Sequence, residues 1–286
     1  MEFFLNFLRS VAYGIIEGVT EWLPISSTGH MILAEQVLKF SFSSEFMEMF
    51  RVVIQLGAIL AVVVLYFKKL WPFCADNGRD SGFSRHFRWP VVRLWCKIIV
   101  ACVPAAVLGL LLDDWLDAHL YNSITVALML IIYGIAFILI ERRPRVPATT
   151  KLSRITYKQA IIIGAWQVLA LIPGTSRSGA TIIGGLLCGM SRACASQFTF
   201  FLAIPVMAGA SGLKLVKFLA KGGVFTLGEV GTLLVGCIVA FVVSILAIRF
   251  LMDYVKKHTF TVFGWYRIAL GILVLGIWAL QSFVLA

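Results

Sequence analysis

Two acidic residues near the N-terminus are spaced so that they can share one cation. Glu17 and Glu21 are four residues apart, so on a helix they project from the same face. Two carboxylates this close repel each other in an apolar setting unless a cation or a proton joins them. Mg²⁺ is held by one or two carboxylates together with substrate phosphate oxygens. The pair therefore predicts a divalent-cation site, whereas a solvated pair at a helix end is the alternative that the apolar flanking residues disfavour.

Three hydroxyl side chains and a histidine follow the acidic pair. Ser26, Ser27 and Thr28 come shortly after Pro24, which we expect to end the preceding helix, and His30 lies two residues further on. Serine and threonine are common helix caps, so one or two of these hydroxyls can serve that purpose alone. A lone histidine is more often structural than catalytic. This one lies among apolar residues after hydroxyls and carboxylates, which favours a catalytic role.

A second polar segment has the composition of a phosphate-binding loop. It reads PGTSRSGAT over residues 173–181, with Arg177 at its centre. Arginine binds phosphate through a two-pronged fork, glycines let backbone N–H groups approach, and the N-terminus of a following helix adds positive potential. A charge in an apolar segment is costly and points to function. A structural ion pair of Arg177 with Glu17 or Glu21 is the alternative, and it can coexist with a substrate role.

The elements that must position these residues are membrane-spanning helices. Of the 286 residues, 60% are hydrophobic and 14% are charged, against about 25% charged residues in soluble domains. The mean hydropathy is +0.94. Several apolar segments approach the roughly 20 residues that cross a bilayer. The predicted spans cover residues 46–67, 93–112, 123–140, 195–219, 230–250 and 263–284.

Two further apolar regions, residues 3–40 and 157–190, are interrupted by the polar segments described above. We expect each to hold two helical stretches too short to cross the membrane, joined by a loop rich in Gly, Pro, Ser and Thr. Irregular backbone at membrane depth is tolerated only where it is buried in protein or lines a wet cavity. We therefore predict two re-entrant helical hairpins with polar tips near the middle of the membrane.

The two halves of the chain resemble each other. A shift of 150 residues aligns Glu17 with Gln167 and Ser26 with Ser176. Each half then holds one hairpin and three spans, and an odd number of spans forces the second copy to enter from the opposite face. That arrangement is an inverted-topology repeat. We predict a single all-α polytopic membrane domain over residues 1–286, with repeat halves at about 1–141 and 157–286.

Basic residues set the predicted orientation. The net charge is +11, and most basic residues fall in three connections that six spans and two hairpins place on one side. By the positive-inside rule that side is cytoplasmic, so both termini face outward. This clustering in short loops is typical of orientation signals and argues against a nucleic-acid partner. The three connections are residues 68–93, 141–158 and 249–258, and the exceptions near an outer end are Lys214, Lys217 and Lys221.

At these motifs the chain resembles the undecaprenyl-pyrophosphate phosphatase family of bacteria, also known as the BacA/UppP bacitracin-resistance proteins. The first motif is EGVTEWLPISSTGH over residues 17–30, and the second is the 173–181 segment. The segment VVIQLGAIL over residues 52–60 is similar to the family's first spanning helix. The resemblance covers essentially the whole chain. One position departs from it, because Arg51 stands where the family usually has an acidic residue, with Glu48 one turn earlier.

The resemblance implies hydrolysis of undecaprenyl pyrophosphate to undecaprenyl phosphate and inorganic phosphate, which recycles the carrier lipid of peptidoglycan synthesis and confers bacitracin resistance. It also implies a divalent cation, Mg²⁺ or Ca²⁺, and a multi-pass protein of the bacterial inner membrane whose site faces the periplasm. The sequence leaves the oligomeric state open, with a homodimer as one option.

A secondary transporter or flippase for a lipid-linked phosphate is the alternative function, because inverted repeats with broken helices are a transporter architecture. Transport needs a binding site, whereas hydrolysis needs a base, an ion and an anion-binding group as well. The first motif carries more chemistry than binding alone requires, which favours hydrolysis.

Roles follow from the motifs and the resemblance together. Glu17 and Glu21 are expected to position the cation on the pyrophosphate, and Arg177 to bind phosphate oxygens. Ser27 is the expected nucleophile with His30 as general acid/base, and direct attack by His30 is a variant. The other expected substrate-binding residues are Ser26, Thr28, Gln55, Thr175, Ser176, Ser178 and Thr181.

Overall fold

The computed structural model describes residues 2–75, 78, 82–143 and 146–284. This part of the chain is helical and contains no β-strand. Within it, six helical segments are long and apolar enough to cross a membrane, which confirms the all-α polytopic fold and the predicted number of spans. These segments are Ser44–Leu65, Trp89–Leu112, Ser123–Glu141, Arg192–Ala220, Leu227–Lys257 and Thr261–Ser282.

The helices fall into two series on either side of the connection at 142–156. The first series comprises α1 (Glu2–Thr20), α2 (Ser27–Val37), α3 (Ser44–Val53), α4 (Gln55–Leu65), α5 (Phe67–Leu70), α6 (Trp89–Leu120) and α7 (Ser123–Glu141). The second comprises α8 (Tyr157–Val168), α9 (Arg177–Leu187), α10 (Arg192–Ala220), α11 (Leu227–Lys257) and α12 (Thr261–Val284). Short 3₁₀ turns lie at Gly82–His86, Leu152–Arg154 and Leu169–Leu171.

Helices α1 and α2 occupy the first predicted hairpin. Gly18, near the end of α1, packs against the Ala240 carbonyl close to the midpoint of α11. The chain then turns and runs back through α2. Beyond α2, the Ser41 hydroxyl accepts a hydrogen bond at 3.1 Å from the side chain of Asn6, near the start of α1. We infer that the pair is re-entrant. At 19 residues α1 is longer than the short arm expected, because its helix continues unbroken to Thr20.

Helices α8 and α9 follow the same course in the second half. Gly164 of α8 packs against the Ala101 carbonyl within the span formed by α6. Gln159, at the start of α8, donates a hydrogen bond to the Cys188 carbonyl just after α9 at 3.1 Å. The chain thus returns to the end where it began. Helix α1 packs on α11, and α8 packs on α6. Because α6 and α11 each form the second span of their half, the two hairpins make equivalent contacts, each with the second span of the other half.

The two hairpin tips share an unusual backbone conformation. Among the described residues, the non-glycine positions with positive φ are Ser26 at 73° and Ser176 at 71°. Each serine caps the helix that follows, since Ser26 Oγ accepts from the Gly29 N–H and Ser176 Oγ from the Gly179 N–H. These pairs are related by the 150-residue shift seen in the sequence. The match supports the inferred inverted repeat.

Close helix packing depends on residues without side chains. A Cβ at Gly57 of α4 would lie 2.0 Å from the Cys237 carbonyl oxygen of α11, so only glycine fits the observed separation. Small residues allow such approach in membranes, where van der Waals packing between helices replaces the hydrophobic effect. Gly209 of α10, by contrast, has nothing within 4 Å of an added Cβ.

We expect Gly57→Ala to destabilise the protein, because α4 and α11 must separate to admit the methyl group. The matched substitution Gly209→Ala should leave stability unchanged or slightly raised, since alanine favours the helix by about 1 kcal/mol over glycine. Thermal unfolding in detergent, followed by size-exclusion chromatography, measures both. Equal melting temperatures for the two variants would contradict the packing described here.

Candidate active site

The polar tips of the two hairpins meet inside the protein. Arg177, the first residue of α9, donates to Glu21 Oε1 from Nη2 at 3.0 Å and from Nε at 3.3 Å. Both side chains are largely buried, with 11% and 8% of their surfaces exposed. The ion pair considered from the sequence is therefore present, and its acidic partner is Glu21.

The rest of the Arg177 guanidinium is also held. Nη1 donates to the Thr199 carbonyl of α10 at 3.1 Å, and the group lies over the Trp22 ring at 5.9 Å from its centroid. The side chain is thus fixed at the N-terminus of α9, where backbone N–H groups add positive potential. The guanidinium therefore already binds one anionic group, the Glu21 carboxylate.

Ser27 is the hydroxyl that contacts the ion pair. It begins α2, and its Oγ donates to Glu21 Oε2 at 3.1 Å. Both oxygens of Glu21 are therefore engaged, one by Arg177 and the other by Ser27. A carboxylate that accepts a hydrogen bond from a hydroxyl is positioned to take its proton.

Glu17 differs from Glu21 in having an unsatisfied carboxylate. Its residue surface is 1% exposed, and its Oε1 is buried without a hydrogen-bond partner. Gln167, its equivalent in the second half, is also buried, with both polar side-chain atoms lacking partners. An unpaired buried carboxylate is costly unless something joins it. Among the described residues, no group of three or more His, Cys, Asp or Glu is placed to hold a metal ion, but a cation shared with substrate phosphate needs fewer protein ligands.

The ring nitrogens of His30 form hydrogen bonds with groups other than the Ser27 hydroxyl. Its Nδ1 lies 2.7 Å from the Ser26 carbonyl and its Nε2 lies 2.7 Å from the Tyr266 hydroxyl. A carbonyl oxygen only accepts, so Nδ1 carries the hydrogen, and in the neutral ring Nε2 accepts from Tyr266. Both ring nitrogens are engaged in this arrangement. The Ser27 hydroxyl donates to Glu21, which makes Glu21 a second candidate for the acid/base role expected of His30.

Hydroxyl side chains of the second tip form hydrogen bonds with other groups of the protein. The Thr181 hydroxyl donates to the Arg177 carbonyl at 2.8 Å and accepts from Thr199 at 2.9 Å. Ser178 lies 3.1 Å from the capping hydroxyl of Ser176. Thr175 is buried, with its hydroxyl unpartnered. These side chains shape the tip around Arg177, and Thr175 alone among them retains a free buried hydroxyl.

A cavity of about 620 Å³ leads to the first tip. Glu17, Ser27, Thr28 and Gln55 are among the residues that line it. The walls continue past Arg51, which pairs with Glu35, and past Glu48, which pairs with Lys214. The residue that departs from the family pattern thus lies on the wall of this cavity. Further lining residues are Met31, Ser44, Glu45, Val52, Tyr121 and Lys221.

Sequence reasoning missed three residues of the site. Thr199 and Tyr266 could not be singled out, because hydroxyl side chains are common in apolar helices and do not by themselves indicate a site. Arg267 was detectable, because it is a charge within the span predicted at 263–284, and such charges are functional by default. Its side chain is fully buried and contacts both tips.

These features define a polytopic membrane protein in which an anion-binding arginine, two carboxylates and a hydroxyl meet between paired hairpins. The family described as "Bacitracin resistance protein BacA" matches residues 10–273, and the chain belongs to this family. A relative named undecaprenyl-diphosphatase from Enterococcus faecalis is 59% identical over 96% of this chain and 98% of its own length. Proteins of the same name from Streptococcus thermophilus and Lactococcus lactis subsp. cremoris are each 55% identical, over 96% and 98% of this chain and 94% and 100% of their own lengths.

The two carboxylates are expected to respond in opposite ways to the same substitution. Glu17→Gln should raise the melting temperature, because it removes a buried carboxylate with an unpaired oxygen and relieves its repulsion with Glu21. Glu21→Gln should lower it, because Arg177 loses its charged partner, and breaking a buried ion pair costs about 3–5 kcal/mol. Thermal unfolding of both variants in detergent tests this, and shifts of the same sign would contradict it.

Proposed function

We propose that this protein is an undecaprenyl-diphosphatase that converts undecaprenyl pyrophosphate to undecaprenyl phosphate and inorganic phosphate. The observation that carries the proposal is the continuous contact from the cavity through Ser27 to Glu21 and Arg177. In our proposal Ser27 is the nucleophile, Glu21 the proton acceptor and Arg177 the anion-binding group. The name of the E. faecalis relative supports the substrate, and the family description connects the activity with bacitracin resistance.

The terminal phosphate of the substrate takes the place of Glu21 on the Arg177 fork. Ser27 Oγ then attacks the terminal phosphorus while the bond from phosphorus to the bridging oxygen breaks, and the leaving group is undecaprenyl phosphate. Glu21 accepts the Ser27 proton. Water hydrolyses the resulting phosphoserine, releasing inorganic phosphate and restoring the hydroxyl. Positioning and charge neutralisation dominate catalysis of phosphoryl transfer, and Arg177 supplies both.

A divalent cation fits the same arrangement. Glu17 would hold it through the carboxylate oxygen that lacks a protein partner, with Glu21 able to contribute once Arg177 binds phosphate. When bound, the cation neutralises charge on the pyrophosphate oxygens. Thr28 and Gln55, which line the cavity beside Glu17 and Ser27, then contact the remaining oxygens.

The position of the cavity supports an outward-facing site. Its walls include Lys214 and Lys221 at the end of α10, opposite the basic connections that the positive-inside rule places in the cytoplasm. The site accordingly faces the periplasm, both chain termini lie outside, and the protein resides in the bacterial inner membrane.

Arg177→Lys is expected to lower phosphate release by at least about 100-fold, because lysine cannot reproduce the two-pronged contact with phosphate. Arg192→Lys is the matched control, since Arg192 binds Glu141 with two nitrogens outside the site. Phosphate release from undecaprenyl pyrophosphate by purified protein in detergent is the measurement. Full activity in Arg177→Lys or Arg177→Ala would refute the site.

Removal of divalent cations should abolish phosphate release, and added Mg²⁺ or Ca²⁺ should restore it. Glu17→Gln should raise the cation concentration needed for half-maximal activity by about tenfold or more, because each carboxylate ligand contributes strongly to binding of a hard cation. Glu48→Gln is the control, since Glu48 lines the same cavity but pairs with Lys214. Unchanged activity in chelator would exclude the cation.

A further inference from the structure

Arg267 lies on α12 and is fully buried between the two hairpin tips. Its Nη1 donates to the Pro24 carbonyl of the first tip at 3.2 Å. Its Nη2 donates to the Gly174 and Thr175 carbonyls of the second tip, each at 2.9 Å. One planar group therefore bridges the turn that precedes Ser27 and the turn that precedes Arg177.

The same guanidinium is anchored to a third element. Nε donates to the Leu130 carbonyl and Nη2 to the Met129 carbonyl of α7, both at 3.4 Å. The Tyr133 ring of α7 lies 5.6 Å from the guanidinium carbon. Helices α7 and α12 pack closely along their length, so the Arg267 head group is fixed relative to two spans. Arg267 thus connects both tips to the α7–α12 helix pair.

In the part of the chain that the structure describes, the hydrogen-bond partners of Arg267 are all neutral backbone carbonyls. Burying a charge without a carboxylate partner is expensive, and a neutral side chain could satisfy one or two carbonyls at lower cost. A fixed fork of five N–H donors is what serves several carbonyls on separate loops at once. The number and placement of acceptors, rather than charge pairing, account for an arginine here.

We propose that Arg267 is a positioning residue that sets the separation between the Ser27 tip and the Arg177 tip. This inference rests on the proposed phosphatase function. Arg267 donates hydrogen bonds to the backbone of both tips and is not among the residues that line the cavity. It therefore affects the rate of the chemical step through geometry, since a misplacement of about 1 Å can cost on the order of 10²-fold in rate.

Arg267→Lys tests the proposal, because the ammonium keeps the charge but donates from a single nitrogen that cannot reach both tips. We expect kcat per folded molecule to fall by about tenfold or more while KM changes by less than about threefold, since Arg177 and the cavity remain. Arg249→Lys is the matched control, because Arg249 is an exposed arginine of α11. Arg267→Gln, which removes the charge but keeps two donors, should show the same division between kcat and KM.

Folded protein is quantified by size-exclusion chromatography and thermal unfolding, so that activity is counted per folded molecule. Wild-type kcat in folded Arg267→Lys or Arg267→Gln would overturn the proposal, as would a loss confined to KM. Failure of both variants to fold would also overturn it, because Arg267 would then determine folding and not the geometry of a formed site. A wild-type protein that releases no phosphate would instead refute the proposed function.

Discussion

Backbone at membrane depth must find all its hydrogen-bond partners within the protein, because lipid supplies none. Each hairpin tip leaves several carbonyl and N–H groups outside a helix. The capping serines satisfy N–H groups at the start of α2 and α9, and Arg267 satisfies carbonyls from both turns. The site exists because these two kinds of contact make irregular backbone stable in the middle of the protein.

The same constraint orients the side chains to which we assign the chemistry. Ser27 and Arg177 each follow a capping serine directly, so the backbone that satisfies these groups also orients the proposed nucleophile and the proposed phosphate-binding arginine. Glu21 joins them through one oxygen each. The same few contacts therefore stabilise the backbone of the tips and determine the geometry of the site.

Much of this arrangement could be predicted from the sequence. Apolar run lengths gave the six spans, and composition marked both tips, because glycine, proline and hydroxyl residues are rare in uninterrupted helices. The partners of individual side chains could not be predicted. The sequence offered both Glu17 and Glu21 as partners of Arg177, and the ion pair in the structure is with Glu21. The contact of His30 Nε2 with the Tyr266 hydroxyl depends on how α12 packs. The two residues are 236 positions apart, so no local sequence pattern predicts this contact.

The repeat is chemically unequal. Glu17 faces a cavity, whereas its equivalent is Gln167, whose neutral amide cannot neutralise a cation. In the inferred repeat, the acidic residue is thus present at one of the two equivalent positions. The proposed hydrolysis would therefore draw on lipid from a single leaflet, and the direction of insertion, set by basic loops far from the site, would decide which leaflet that is.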